Sequence, residues 1–356
     1  MSSRRYSNSD IKEKLSSPNR DTCGLALCPL LHPSLNITNN FILKYDFNHS
    51  ATIIDHIFIK KKTAKMIQNK CSSGIYPDSL KIAKWIVKQP SAVSFMGSVG
   101  KDEYTKILED KCKTAGVTVK YQYQEKEPTG TCAVVVTKAG TCRSLVANLA
   151  AANLFTKSHI EIPENHALIE KAKFYYISGF FLTVSPETIV EVGKHACEKN
   201  KVFTMNLSAP FIVEFFKDPM MQAFPYIDIL FGNETEAAKF GEVHNFGTSD
   251  LKEIAVKAAA LPKQNKERSR TVIITQGADT VILCKDGKIS EFTVTQLPAE
   301  KLIDTNGAGD AFVGGFLAQL IKGEEMDVCI KCGIWAATHI IQRSGCTMDP
   351  DVKYKE

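Results

Sequence analysis

The sequence predicts an α/β fold built on a doubly wound, mostly parallel sheet, and three observations predict it. From about Lys173 onward, short β-branched and aromatic runs alternate with helical patterns. The ends of these runs carry glycine or polar residues. Near the C-terminus a glycine-rich turn opens a long apolar helix. Parallel strands need crossover connections, so repeated strand-then-helix units imply a sheet covered on both faces.

Along the chain, Ala51–Ile59 and Cys132–Thr137 read as strands with partial alternation, and Ser79 to Val87 (SLKIAKWIV) reads as an amphipathic helix. Some of the early strands are expected to form a small second sheet capping the ligand-binding edge. Phe174-Tyr175-Tyr176-Ile177 begins the main sheet. A helix follows at Ser185-Pro186-Glu187, with Ser as N-cap and Pro in the first turn, where its missing N–H matters least. Val202–Met205 and Ile227–Phe231 are the next strands, and a helix starts near Asn233. A helix of roughly Ser249 to Ala260 precedes the strand Val272–Thr275. Ligands of such sheets bind beyond the carboxyl ends of the strands. Those positions carry Gly179-Phe180-Phe181, Asn206, Gly232-Asn233-Glu234-Thr235-Glu236 and Gln276-Gly277.

The 356 residues suit one large or two modest domains, and 44% apolar residues can fill a sizeable core. Net charge is +5, and the first twenty residues, with five basic and two acidic side chains, supply most of it. The remainder is nearly balanced, so neither nucleic acid nor an anionic membrane is an expected partner. Eleven cysteines, scattered and odd in number, lack the spacing of a secreted disulfide scaffold. They read as reduced thiols. Cys329 and Cys332 are included, since no second CxxC or His pair completes a metal site. No run nears the roughly eighteen apolar residues of a membrane span, and no apolar leader opens the chain. A cytosolic location is therefore expected.

The most informative stretch is Ile303-Asp304-Thr305-Asn306-Gly307-Ala308-Gly309-Asp310, followed by apolar residues at 312, 313, 316, 317, 320 and 321. That helical spacing predicts a buried helix starting just after the glycines. Glycines opening a buried helix let a phosphate approach several backbone N–H groups and the positive end of the helix dipole. Asp310 falls in the first turn, where an anionic base could take a proton from a hydroxyl attacking that phosphate. A glycine turn capped by Asp fits the same residues. A Rossmann fingerprint is excluded because position 312 is Phe where G-x-G-x-x-G needs Gly. No G-x-x-x-x-G-K-[ST], HRD or DFG is present.

Asp304 to Asp310 resembles the C-terminal signature of the ribokinase-like sugar and nucleoside kinases, the carbohydrate kinase PfkB family. Gly97-Ser98-Val99-Gly100-Lys101-Asp102 resembles their G-x-[IV]-G-x-D element, and Asn233-Glu234-Thr235-Glu236 their N-x-x-E motif. Pro128–Cys132, Arg143–Asn153, Ser178–Glu187 and Asn206–Phe211 narrow the likeness to the adenosine kinases of animal type, over roughly residues 80–348. The resemblance implies a ribokinase-like fold with a small β-sheet lid, and ATP-dependent phosphorylation of the adenosine 5′-hydroxyl to AMP in purine salvage. Asp310 would be the base. The amides around Gly307, Ala308 and Gly309, with Arg143 from the lid, would stabilise the transferring phosphoryl group. Asn233, Glu236, Thr275, Gln276, Gly277 and Asn306 would hold ATP, with Asn233 and Glu236 organising Mg²⁺ through water. The Asn233 and Glu236 spacing equally fits a helix cap. His32, Gly74, Asp78, Leu145 and Phe180 would contact adenosine, Phe180 by stacking; without the resemblance Phe180 reads as core. It also implies a monomer in the cytoplasm and nucleus, while the charge of the first residues leads to the expectation of a disordered basic tail over residues 1–22. Residues 23–356 would form the kinase domain, with lid segments at approximately 30–75 and 120–150.

The N-terminal third departs from the family pattern. Where the family reads G-N-P-L-L-D-I-S, this chain has Leu27-Cys28-Pro29-Leu30-Leu31-His32-Pro33-Ser34. His32 replaces an Asp that accepts hydrogen bonds from the ribose hydroxyls, and neutral His offers one acceptor nitrogen. The element A-G-G-S-T-Q-N-S aligns with Ser72-Ser73-Gly74-Ile75-Tyr76-Pro77-Asp78-Ser79, so a glycine is lost and Asp78 stands for Asn. Ile334 stands where the family has His beside the nucleotide base. A catalytically impaired paralogue with an altered ribose site is the alternative expectation, and a kinase of another nucleoside or sugar the third.

Overall fold

The structure is a computed structural model that describes residues 75–89, 92–137, 142–305, 307–343, 345–349 and 351–354, without the side chains of 75–77, 132–137 and 142–147. The expected tail, the strand at Ala51–Ile59 and the lid segment at approximately 30–75, up to its last residue, lie outside the described residues.

The elements run α1 (Ile75–Val87), β1 (Ser94–Gly100), α2 (Glu103–Ala115), β2 (Thr118–Gln124), β3 (Thr131–Thr137), β4 (Cys142–Asn148), α3 (Pro163–Lys171) and β5 (Phe174–Ser178). Then come α4 (Pro186–Glu198), β6 (Val202–Asn206), α5 (Pro210–Phe215), α6 (Lys217–Ala223), β7 (Ile229–Asn233), α7 (Glu234–Val243), α8 (Leu251–Ala260) and β8 (Thr271–Thr275). The chain ends on β9 (Val281–Lys285), β10 (Lys288–Phe292), α9 (Ala308–Lys322) and α10 (Met326–Ile340). The predicted elements of the main sheet all form. Ser185 precedes α4 as expected, but its hydroxyl bonds the side chains of Glu187 and Thr188 instead of capping a backbone N–H.

The main sheet has the order β10-β9-β8-β7-β6-β5. β5 to β8 pair in parallel, and β9 and β10 add antiparallel strands. The β9–β10 link is Asp286-Gly287, with φ of 52° and 72°. Positive φ at both positions suits the tight turn that matches the twist of a hairpin. β1 pairs with β2 in parallel, and β3 with β4, in sheets of their own. Most of β3 and β4, residues 134–137 and 142–146, belongs to a compact unit separate from the body described here.

Both faces of the main sheet are covered, as the alternation implies. Leu230, Val272, Ile274, Ile282 and Cys284 point to one side, where α4 to α8 pack. Their neighbours Ile229, Phe231, Ile273, Val281 and Leu283 point to the other, against α1, α9 and α10. Period-two alternation thus feeds two cores. The strand order does not reverse among the described strands, so right-handed crossovers put their helices on one face. The second layer comes from helices flanking the strand series. Within it, α9 is buried at every position from Ala311 to Leu320, because the sheet, α1 and α10 enclose it.

Candidate active site

The strand register brings the predicted ligand-facing residues to one edge. Ser178 pairs with Asn206, Asn206 with Phe231, and, two residues further along β7, Asn233 with Thr275. At this edge Asn206 accepts from the Gly179 N–H (2.9 Å) and from the Ser208 hydroxyl (2.6 Å). A Cβ on Gly179 would lie 2.6 Å from the Asn206 carbonyl, so glycine is required for that approach. Ser208, at φ 68°, also contacts Ser178 (2.7 Å) and the Phe180 N–H (3.2 Å). Phe180 is partly buried, with Phe211 6.0 Å away between ring centroids.

α9 begins at this edge. Its Phe312 and Phe316 pack on Phe231 of β7, at ring distances of 6.4 and 5.1 Å. Gly307 sits just before the helix at φ 74°, a left-handed conformation that glycine adopts freely. Among the described residues, a Cβ on Gly307 or Gly309 would meet nothing within 4 Å. The helix start is therefore an open backbone cradle, where first-turn N–H groups face outward and the dipole favours an anion. The incoming segment is anchored behind it. Ile303 and Asp304 donate to the Ile341 carbonyl (3.0 and 3.1 Å), and the buried Asp304 carboxylate accepts from the Gly345 N–H (3.3 Å).

Asp310 stands beside the cradle, against α1. The Ser79 hydroxyl donates to its Oδ1 at 3.0 Å. α1 can come this close because Gly314 has no side chain: a Cβ there would lie 2.5 Å from the Ser79 carbonyl. Next to Ser79, Asp78 is 1% exposed and its Oδ1 lies 2.5 Å from Lys81 Nζ, also buried. Burial and then the Asp78 carboxylate push the Asp310 carboxyl well above the usual range, while the Ser79 bond and Lys81 oppose them. Burial pushes Asp78 up to about 6 against the pull of Lys81.

At the end of β7, Asn233 and Glu236 form a reciprocal cap. Asn233 Oδ1 accepts from the Glu236 N–H (2.8 Å), and Glu236 accepts from the Asn233 N–H (3.0 Å) and Nδ2 (2.8 Å). Glu236 is buried, which pushes its carboxyl up to about 7 despite the bond from the Asn233 N–H. Beside it, Thr275 approaches the Gly232 carbonyl (3.5 Å), Gln276 donates to the Thr280 carbonyl (2.6 Å), and Gly277 turns at φ 58°. Among the described residues, no three His, Cys, Asp or Glu side chains gather as a metal-holding group.

Residues 80–352 match the pfkB family carbohydrate kinases. The chain belongs to that family. Among curated proteins, this pfkB-family chain is 50% identical over 323 residues to adenosine kinase 2 of Arabidopsis thaliana, covering 90% of this chain and 93% of that one. It is 40% identical to the adenosine kinase of Schizosaccharomyces pombe, over 78% of this chain and 81% of that protein. A solved structure of Anopheles gambiae adenosine kinase with P1,P4-di(adenosine-5) tetraphosphate is similar at TM-score 0.76 and 47% identity, over 88% and 91% of the two chains. The ribokinase-like fold expected from the motifs is thereby shown.

In this pfkB-family chain, Asp310, Gly307, Ala308 and Gly309 occupy one helix start, while Asn233, Glu236, Thr275, Gln276, Gly277 and Phe180 lie along the same sheet edge. Asp78 is turned to Lys81. Arg143 and Leu145 fall on β4, in the separate unit, and their side chains lie outside the described residues, as do His32, Gly74 and Asn306. Ile334 is buried in the core against α9. Ser79 and Lys81 are the site residues that motif reading passed over. For Ser79 a sequence signal exists: it falls one turn before Ile82 on the inward stripe of α1, a polar residue where an apolar one belongs.

The element at Gly97 to Asp102 has a supporting role. Asp102 caps α2 through the Thr105 N–H (3.0 Å) and accepts from the Thr129 N–H and hydroxyl, both at 2.7 Å. A Cβ on Gly100 would lie 2.6 Å from both the Glu127 carbonyl and the Thr129 nitrogen. The motif therefore fastens the Pro128-Thr129 segment to the end of β1.

Proposed function

We propose that this chain is an adenosine kinase, transferring the γ-phosphoryl group of ATP to the adenosine 5′-hydroxyl to give AMP and ADP. The observation that carries the reading is Asp310 at the open, glycine-led start of α9. A phosphoryl group in the cradle would face backbone N–H donors and the helix dipole, which offset charge on its equatorial oxygens. Asp310 is the anionic group beside it. As the 5′-oxygen bonds to phosphorus and the bond to the β-phosphate oxygen breaks, Asp310 takes the hydroxyl proton. A carboxyl raised above its ordinary range is a better-matched base near neutral pH.

ATP as co-substrate accords with the relatives, and Mg²⁺ belongs to the same reading. Mg²⁺ keeps several waters and binds through one or two carboxylates plus substrate phosphates, a demand that the single buried Glu236 fits. Glu236 and Asn233 would hold it through water, since Asn233 already engages both carboxylate oxygens. When bound, the ion neutralises charge on the phosphates. A role in purine salvage, a monomeric state and a cytoplasmic and nuclear location complete the reading, supported by the resemblance. Among the described residues, no helix is long and apolar enough to cross a membrane.

The test is AMP formation by the purified full-length chain with Mg-ATP and adenosine, beside Asp310→Asn and with ribose and other nucleosides as competing acceptors. AMP that disappears in Asp310→Asn supports the proposal. Faster phosphorylation of another acceptor would replace it.

A further inference from the structure

We propose that the buried Lys81–Asp78 pair positions and sets the charge of Asp310, so that α1 governs the pH at which the base is ionised. The inference rests on the phosphotransfer reading and deepens it. Asp78, Ser79 and Lys81 occupy one turn of α1, and Ser79 carries the direct bond to Asp310. The turn is clamped on α9, since Ile82 packs with Ala311 and Gly314 admits the Ser79 carbonyl. Asp78 and Lys81 are each at most 5% exposed, so water screens neither.

The charge balance follows from this enclosure. The other titratable groups coupled to this cluster among the described residues are Cys112 of α2 and Cys346 near the C-terminus. Burial pushes both thiols up, so they are neutral near pH 7. Two carboxylates and one ammonium remain. Two unscreened carboxylates on adjoining turns of α1 and α9 cannot both ionise easily, and the cation paired with Asp78 offsets much of the conflict. Asp78 stands where the resembling element carries Asn, so this chain holds an additional buried acid, and Lys81 at i+3 answers it. The pair acts through the field it places on Asp310, and through Ser79, without touching the reacting atoms.

The sign of each substitution is fixed. Asp78→Asn removes an anion and leaves the Lys81 charge uncompensated near Asp310, so the Asp310 midpoint should fall by about 1 pH unit. Lys81→Gln removes the cation, so the midpoint should rise. The double variant should lie between the two. The direct readout is a ¹³C-carboxyl NMR titration of the full-length resting protein labelled at Asp, with the Asp310 signal assigned by its loss in Asp310→Asn. The acidic limb of kcat/KM for AMP formation should move with it. If Lys81→Gln does not fold, Asp78→Asn and the double variant still decide. An Asp310 midpoint unmoved in Asp78→Asn, or activity lowered equally at every pH, overturns the proposal. A midpoint that moves in a protein making no AMP keeps the charge coupling and removes the kinase reading.

Discussion

Ser79 and Asp310 are 231 residues apart in sequence and joined by a 3.0 Å hydrogen bond. The bond links the helix that precedes every described strand to the helix that follows them. It also holds the Asp310 carboxylate at the open start of α9 in a fixed orientation, so effects on either helix reach the proposed base.

Asp310→Asn should separate activity from stability. Loss of the base should lower kcat by ~10²–10⁴-fold. The folded protein binds this carboxyl's proton more tightly than the unfolded chain does, so the group destabilises increasingly as pH rises from the unfolded value, near 3.9, to the raised folded one. Asn removes that penalty. Thermal denaturation at pH 5 and 7 should show a higher Tm for the variant at pH 7, by on the order of 3 °C, and a smaller drop between the two pH values.

Gly314→Ala tests the approach of the two helices. Its Cβ would sit 2.5 Å from the Ser79 carbonyl and 2.8 Å from Ile82 Cβ, and neither is a flexible side-chain end. Overpacking of this kind costs ~1–3 kcal/mol. The Ser79–Asp310 bond should lengthen, and kcat should fall more than KM for ATP rises. Unchanged kcat in steady-state assays would argue against α1 as a support of the base.

Asp102→Ala should destabilise the fold by roughly 2–4 kcal/mol, combining a lost cap with lost bonds from Thr129. Burial raises the Asp102 pKa, but bonds from Thr129, Thr105 and Tyr104 outweigh it and hold the carboxyl below its usual value. This stabilisation is complete above the unfolded pKa, near 3.9, and is lost as pH falls through the folded one. Urea titrations should find the wild-type advantage over Asp102→Ala at pH 6 shrinking below pH 4.

Arg270→Lys should cost more than ~4 kcal/mol although charge is kept. The fully buried guanidinium donates to the carbonyls of Phe224, Ile227, Ala258, Ala259, Leu261 and Pro262, and lies 4.2 Å from the Phe224 ring centroid. An ammonium has three donors and cannot serve that spread. A thermal shift of only a degree or two would show that other groups carry this corner.

His32→Asp addresses the departure in the N-terminal third. Restoring a charged acceptor for ribose hydroxyls should lower KM for adenosine by roughly ten- to a hundredfold, with KM for ATP unchanged. No gain in adenosine affinity by calorimetry would mean that this chain grips ribose by other residues.

Strands β5 to β8 were legible because each carries a β-branched or aromatic run bounded by polar residues, and Phe174 to Thr275 needed nothing more. The Asp310 cradle was legible too, since glycines before an apolar helix constrain the backbone locally. The β9–β10 hairpin at Asp286-Gly287 is missing from the sequence expectations although β9 is an apolar run; its partner β10 is half polar and mostly exposed, so the pair carries no matching apolar pattern. The cap role of Asn233 and Glu236 followed from their spacing of three, a purely local geometry. Ser79 shows in the sequence only as a polar residue on the inward stripe of α1; that it meets Asp310, that Lys81 is buried with Asp78, and that Thr129 bonds Asp102 depend on which segments meet, and nothing in one segment encodes its neighbour's position. By itself the sequence determined most element types, the glycine-led start of α9 and the family signature, because propensity, capping and glycine freedom act over a few residues. Only the tertiary structure decided that α1 closes the second face of the sheet and sets Asp78, Lys81 and Ser79 behind Asp310. Burial and charge coupling are sums over surroundings, and those exist only once the chain has folded.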